Sequence, residues 1–97
     1  MENLTFALVG RAILPSGEEP DGAVIVRGDT IVYAGERSGA LLPEAVIEAA
    51  DCVITPGFVD IHCHAGGAFW GYDNPAAMAA HHLRHGTTGL LCTFYRD

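Results

Sequence analysis

The sequence predicts an α/β chain in which a β-rich first half is followed by one strand–helix–strand unit. Three observations carry this. Two β-branched runs, Ala23-Val24-Ile25-Val26-Arg27 and Thr30-Ile31-Val32-Tyr33-Ala34, are joined by Gly28-Asp29. A run after Pro56-Gly57 starts apolar and ends polar. A helix signal between Asn74 and Gly86 is followed by another apolar run.

Phe6 to Leu14 reads as a first strand that ends at Pro15. The two β-branched runs form a hairpin, because Gly28 can supply the positive φ of a two-residue turn. Val46-Ile47-Glu48 and Cys52-Val53-Ile54 are short strands, while 16–22 and 36–43 hold turn residues and are expected as loops. Phe58-Val59-Asp60-Ile61-His62-Cys63-His64 is a continuous strand, and Ala65-Gly66-Gly67-Ala68 a flexible link. Asn74 is an N-cap, Pro75 fits the first helical position, and Gly86 falls just past the helix end. Ala76, Ala79, Ala80 and Leu83 form a small-residue stripe expected to pack on a sheet. Gly89 to Tyr95 is the second strand, and the βαβ order implies a parallel pair with a right-handed crossover. The boundaries are 1–54 for the β-rich segment and 55–97 for the βαβ segment.

Composition excludes several roles. The 97 residues are 49% hydrophobic and 18% charged, which is ordinary for a globular chain. Twelve carboxylates against five scattered arginines and no lysine give a formal charge of -7. Nucleic acid and anionic membrane surfaces are therefore not expected partners. No basic n-region precedes an apolar run at the start, and no apolar run reaches membrane-spanning length, so the expected compartment is the cytoplasm. Cys52, Cys63 and Cys92 are odd in number and lack paired spacing, which argues against a disulfide framework.

The chemistry concentrates at His62-Cys63-His64. Side chains two apart on a strand share a face, so both imidazoles point one way and Cys63 the other. Two converging nitrogens are half of a site for Zn, Fe, Ni or Cu. The carboxyl end of a parallel strand, beside Gly66 and Gly67, is where α/β proteins place their sites, and the two glycines are candidate substrate-loop residues. Asp60 shares the face but lies ~13 Å along the strand from His64, so it is expected to support the ligands by hydrogen bonding rather than bind the ion itself. His81, His82 and His85 form a rival cluster on the helix and are expected to be its solvated face. Tyr33, Phe69, Trp70, Tyr72, Phe94 and Tyr95 are expected to pack, with Phe69 and Trp70 also placed to cover the site. Cys63 and Cys92 are expected to be inert thiols.

Ile54-Thr55-Pro56-Gly57-Phe58-Val59-Asp60-Ile61-His62-Cys63-His64 resembles the barrel-opening signature of the amidohydrolase superfamily. The resemblance implies the N-terminal part of a β-sandwich segment followed by the first β-α-β unit of a metal-dependent TIM (β/α)8 barrel. Ala65-Gly66-Gly67-Ala68 and His85-Gly86-Thr87-Thr88 are most similar to N-acetylglucosamine-6-phosphate deacetylases. Gly66 stands where dihydroorotases carry an arginine, while isoaspartyl dipeptidases also have glycines here. The resemblance implies that His62 and His64 bind a divalent Zn or Fe centre of one or two ions. It also implies hydrolysis of the N-acetyl amide of an amino-sugar phosphate by a metal-bound hydroxide, in a homo-oligomeric enzyme. The family's catalytic aspartate and remaining ligands come from later strands, beyond Asp97. A complete barrel takes roughly 250 residues, so 97 residues are expected to be an N-terminal fragment, inactive alone, with weak metal binding and poor solubility. A truncated remnant or a binding module is the non-enzymatic alternative.

Overall fold

The computed structural model describes residues 4–49 and 51–93. Phe94 and Tyr95 lie outside the described residues. The chain divides after Pro56 into two compact units. Among the described residues no helix is long and apolar enough to cross a membrane.

The first unit is one four-stranded sheet. Its strands are β1 (Thr5–Leu14), β2 (Gly17–Arg27), β3 (Thr30–Glu36) and β4 (Val46–Glu48). Their order is β3-β2-β1-β4. The β1–β2 and β2–β3 pairs are antiparallel, whereas β1–β4 is parallel. The expected hairpin is present: Arg27 faces Thr30, and Gly28 has a φ of 61° in the turn between them. Ala7, Val9, Ala23 and Ile25 form the core, with Tyr33, Ala40 and Val46 packed against it. Ala7 and Val9 are two apart and face inward together, as strand alternation requires. The next inward residue is Ala12 rather than Arg11. The switch occurs across Gly10, whose φ of 144° is readily adopted only by glycine.

Two expectations for this unit are corrected. Gly17 to Gly22, read as loop, belongs to β2 and pairs with β1. The turn residues mislead because this half of β2 has no second neighbour: β3 begins pairing only at Gly22. Pro20, which cannot donate to a ladder, sits where the β1–β2 register shifts, a position that tolerates proline. Cys52-Val53-Ile54 is not a strand, and only Ile54 bridges to Ala12. Within the stretch expected as loop, Arg37–Gly39 forms a 3-10 turn.

The second unit contains β5 (Phe58–Cys63), β6 (Ala65–Gly66), β7 (Phe69–Trp70), α1 (Pro75–Leu83) and β8 (Thr87–Cys92). β5 and β8 pair in parallel, as expected of a βαβ unit. The Asn74 side chain accepts a hydrogen bond from the Ala77 N–H at 3.2 Å, Pro75 opens the helix, and Gly86 turns the chain out with a φ of 97°. The supposedly flexible link is instead a hairpin, with β6 and β7 paired and Gly67 at its turn.

The expected stripe faces β8, but the side chain that the helix buries fully is Met78. Met78 is fully buried, whereas Ala76, Ala80 and Leu83 are exposed. Ala79, Ala80 and Leu83 line an open groove with Thr87 to Leu90 of β8. Met78 wins because one long flexible side chain removes more apolar surface from water than several alanines. Phe69, Trp70 and Tyr72 are also exposed rather than packed.

Candidate metal centre

His62 is the fifth residue of β5 and His64 follows the strand end. Their Nε2 atoms are 3.0 Å apart and their ring centres 4.9 Å apart, with the planes nearly edge to face. The alternation argument thus places both imidazoles together. One ring donates its Nε2–H to the other's lone pair. Two nitrogens bound to one tetrahedral zinc at ordinary bond lengths are ~3.3 Å apart, so this pair fits half of a metal site with little movement. Among the described residues no three His, Cys, Asp or Glu side chains converge on a common point. The pair has the donor type for a borderline divalent ion but not the number for a closed site.

The backbone around the pair is held by several hydrogen bonds. Asp60 accepts from the His62 backbone N–H at 3.0 Å, so the carboxylate supports the backbone of a histidine rather than its ring. The Thr93 N–H donates to the Cys63 carbonyl at 2.7 Å, and the Cys63 N–H donates to the Thr93 hydroxyl at 3.3 Å. The Gly71 N–H donates to the His64 carbonyl at 2.7 Å. Both Thr93 and Gly71 escaped the sequence reading. The buried state of Gly71 is the kind of signal only a structure supplies: a Cβ there would collide with the Cys92 sulfur.

The opposite face of β5 carries Cys63, which is buried. Its sulfur lies 3.2 Å from His82 Nε2 and 4.0 Å from the Met78 sulfur. Burial, with the Asp60 carboxylate adding to it, pushes the thiol above its ordinary range. Cys63 is thus held as a neutral packing group. His82 Nε2 is also 2.8 Å from the Ala65 carbonyl, to which it donates as the Nε2–H tautomer. His82 therefore belongs to the interior of this unit and not to a solvated face.

Gly66 is buried beneath that histidine. A Cβ on it would stand 2.7 Å from His82 Nε2 and 3.0 Å from the Met78 carbonyl. Gly67 is exposed at the hairpin turn, close to the ring of His81. Partial burial and the neighbouring His85, His82 and Arg84 hold His81 below its ordinary range.

No family model matches the chain. Curated relatives do. Over 50 residues, 52% of the chain, it is 46% identical to the imidazolonepropionase of Streptomyces griseus. Over 71 residues, 67% of the chain, it is 39% identical to the 5-methylthioadenosine/S-adenosylhomocysteine deaminase of Symbiobacterium thermophilum. Over 61 residues, 62% of the chain, it is 39% identical to the 5'-deoxyadenosine deaminase of Methanococcoides burtonii. Its similarity is to enzymes of the amidohydrolase superfamily. The chain spans 13 to 16% of the length of these relatives. None of the three is an amino-sugar deacetylase.

Proposed function

We propose that this chain contributes the first metal-ligating strand of a metal-dependent hydrolase that cleaves a C–N bond of a nitrogen heterocycle, within the ring or to an exocyclic amine. The reading rests on one observation above all: two imidazole nitrogens held 3.0 Å apart at the carboxyl end of a parallel strand. The relatives support the substrate class, because they are an imidazolonepropionase and two deaminases of adenosine derivatives. In this reading the first unit is the β segment that accompanies the barrel, and the second unit is the barrel's opening β-α-β.

His62 and His64 would hold a Zn- or Fe-type ion through their Nε2 atoms. A divalent ion bound there supplies Lewis-acid polarisation and an activated water. The chain's own contribution is positioning. Asp60 fixes the His62 backbone, Gly71 fixes the His64 carbonyl, and Thr93 ties the strand end to the segment after β8. These bonds limit backbone movement at the two histidines, so less ordering of the strand end remains to be done when the ion binds.

The amino-sugar phosphate deacetylase expectation has narrower support. It depends on Gly66-Gly67 and on His85-Gly86-Thr87-Thr88, and Gly66 here has a packing reason to be glycine. The test is an assay of the complete protein carrying this chain, loaded with Zn²⁺ or Fe²⁺. Imidazolonepropionate, S-adenosylhomocysteine, 5'-deoxyadenosine and N-acetylglucosamine 6-phosphate are offered side by side. Turnover of a heterocycle that falls at least 100-fold in both His62→Ala and His64→Ala is the expected result. Turnover of the amino sugar alone would replace the substrate class, and full activity in both variants would remove the metal role.

A further inference from the structure

We propose a second divalent-cation site at the carboxyl end of α1, formed by His81 and His85. The two rings have centres 4.9 Å apart at an interplanar angle of 54°. Two imidazoles sharing one ion at ordinary metal–nitrogen distances have ring centres roughly 5 Å apart. The separation equals that of His62 and His64, but here it is built on a helix and its following turn instead of a strand. His81 lies in the last turn of the nine-residue helix, and His85 follows the cap residue Arg84. The His85 N–H donates to the His82 carbonyl at 3.0 Å and the Gly86 N–H to the Leu83 carbonyl at 3.0 Å, so the turn holding His85 is fixed.

Three features favour a cation at this place. A helix carboxyl end carries partial negative charge, which attracts a dication as it attracts a protonated side chain. His85 is exposed and His81 half-buried, so the pair is reachable from solvent. Gly67 stands against the His81 ring, and a Cβ there would approach its Nδ1 to 3.1 Å. The glycine thus keeps that edge of the imidazole uncrowded. His82 is excluded from the site because its Nε2 is already committed to the Ala65 carbonyl. With two neutral nitrogen donors and no third protein ligand among the described residues, the site suits Ni²⁺, Cu²⁺ or Zn²⁺ and rejects Ca²⁺ and Mg²⁺. Water completes the coordination. A bound ion links the last turn of α1 to the Gly86 turn and so resists fraying there. The inference stands apart from the hydrolase reading, since it uses neither His62 nor His64.

Calorimetric titration of the 97-residue chain with Ni²⁺ tests it, in a His62→Ala/His64→Ala background whose folding is checked by circular dichroism. One Ni²⁺ per chain is expected to bind, Mg²⁺ not at all. His85→Ala or His81→Gln is expected to weaken binding at least tenfold, and His82→Gln by less than twofold. If the background variant does not fold, Ni²⁺-induced broadening of ring protons in the unsubstituted chain replaces it. His81 and His85 are then expected to broaden together. Absence of binding in the folded background, binding that survives His85→Ala, or broadening that spares either ring overturns the site.

Discussion

The two units bury their apolar residues very differently. In the first, Ala7, Val9, Ala12, Ala23, Val24 and Ile25 are buried on two inner strands, β1 and β2, each with neighbours on both sides. In the second, only Cys63 and Met78 are buried among the described hydrophobic residues. Phe58, Val59 and Ile61 of β5 and Leu91 of β8 remain 60 to 74% exposed. The difference follows from topology. An antiparallel sheet can satisfy itself with one buried face, whereas parallel strands are stable where both faces are covered. The chemistry-bearing unit is therefore the one with fewer buried apolar side chains to hold it.

Met78→Ala should separate the two units most strongly. Met78 is fully buried, and its sulfur lies against the Cys63 sulfur and Gly71. Its removal is expected to cost ~2–5 kcal/mol, against roughly 2 kcal/mol for Val9→Ala in the first unit. Amide exchange should show α1 and β5 losing protection in Met78→Ala while β1 and β2 keep theirs. Equal loss across both units would show that they share one cooperative core. Gly66→Ala comes next, at about 1–3 kcal/mol, because the new methyl must displace His82 from the Ala65 carbonyl. Its signature is selective loss of protection in β6 and α1. A variant as stable as the parent would mean that Gly66 is glycine for another reason, such as access to a substrate.

Much of this was legible in the sequence, because local chemistry decided it. The hairpin at Gly28, the Asn74 cap and the shared face of His62 and His64 each depend on residues within four positions of one another. What was not legible depended on distant partners. Pro20 could sit in a strand because β3 pairs with β2 only from Gly22 onward, which no local pattern announces. The Ala76 to Leu83 stripe does face β8, yet the fully buried side chain is Met78, whose sulfur meets Cys63, 15 residues away, and Gly71. His82 read as solvated because its acceptor, Ala65, is 17 residues away. The supports of the candidate centre, Gly71 and Thr93, were invisible for the same reason.

The smallest effect concerns the thiols, and it tests whether the second unit is closed where it is packed. Cys63 is buried beside Met78 and His82, and burial raises its proton affinity in the folded state. A raised thiol pKa means that the folded state prefers the neutral form. That preference contributes stability which is fully present below the ordinary thiol range and is lost as the pH rises through the folded value. Alkaline pH should therefore loosen the second unit before the first, which holds no buried thiol among its described residues. Cys52 is exposed and belongs to the first unit, so it serves as the internal standard. With iodoacetamide at neutral pH, Cys52 should be modified first and Cys63 only as fast as the unit opens. Raising the pH should speed Cys63 more steeply than Cys52, because thiolate formation and opening then act together. Equal rates for the two at neutral pH would mean that the small core around Met78 does not stay shut, and the positioning ascribed to β5 would lose its physical basis.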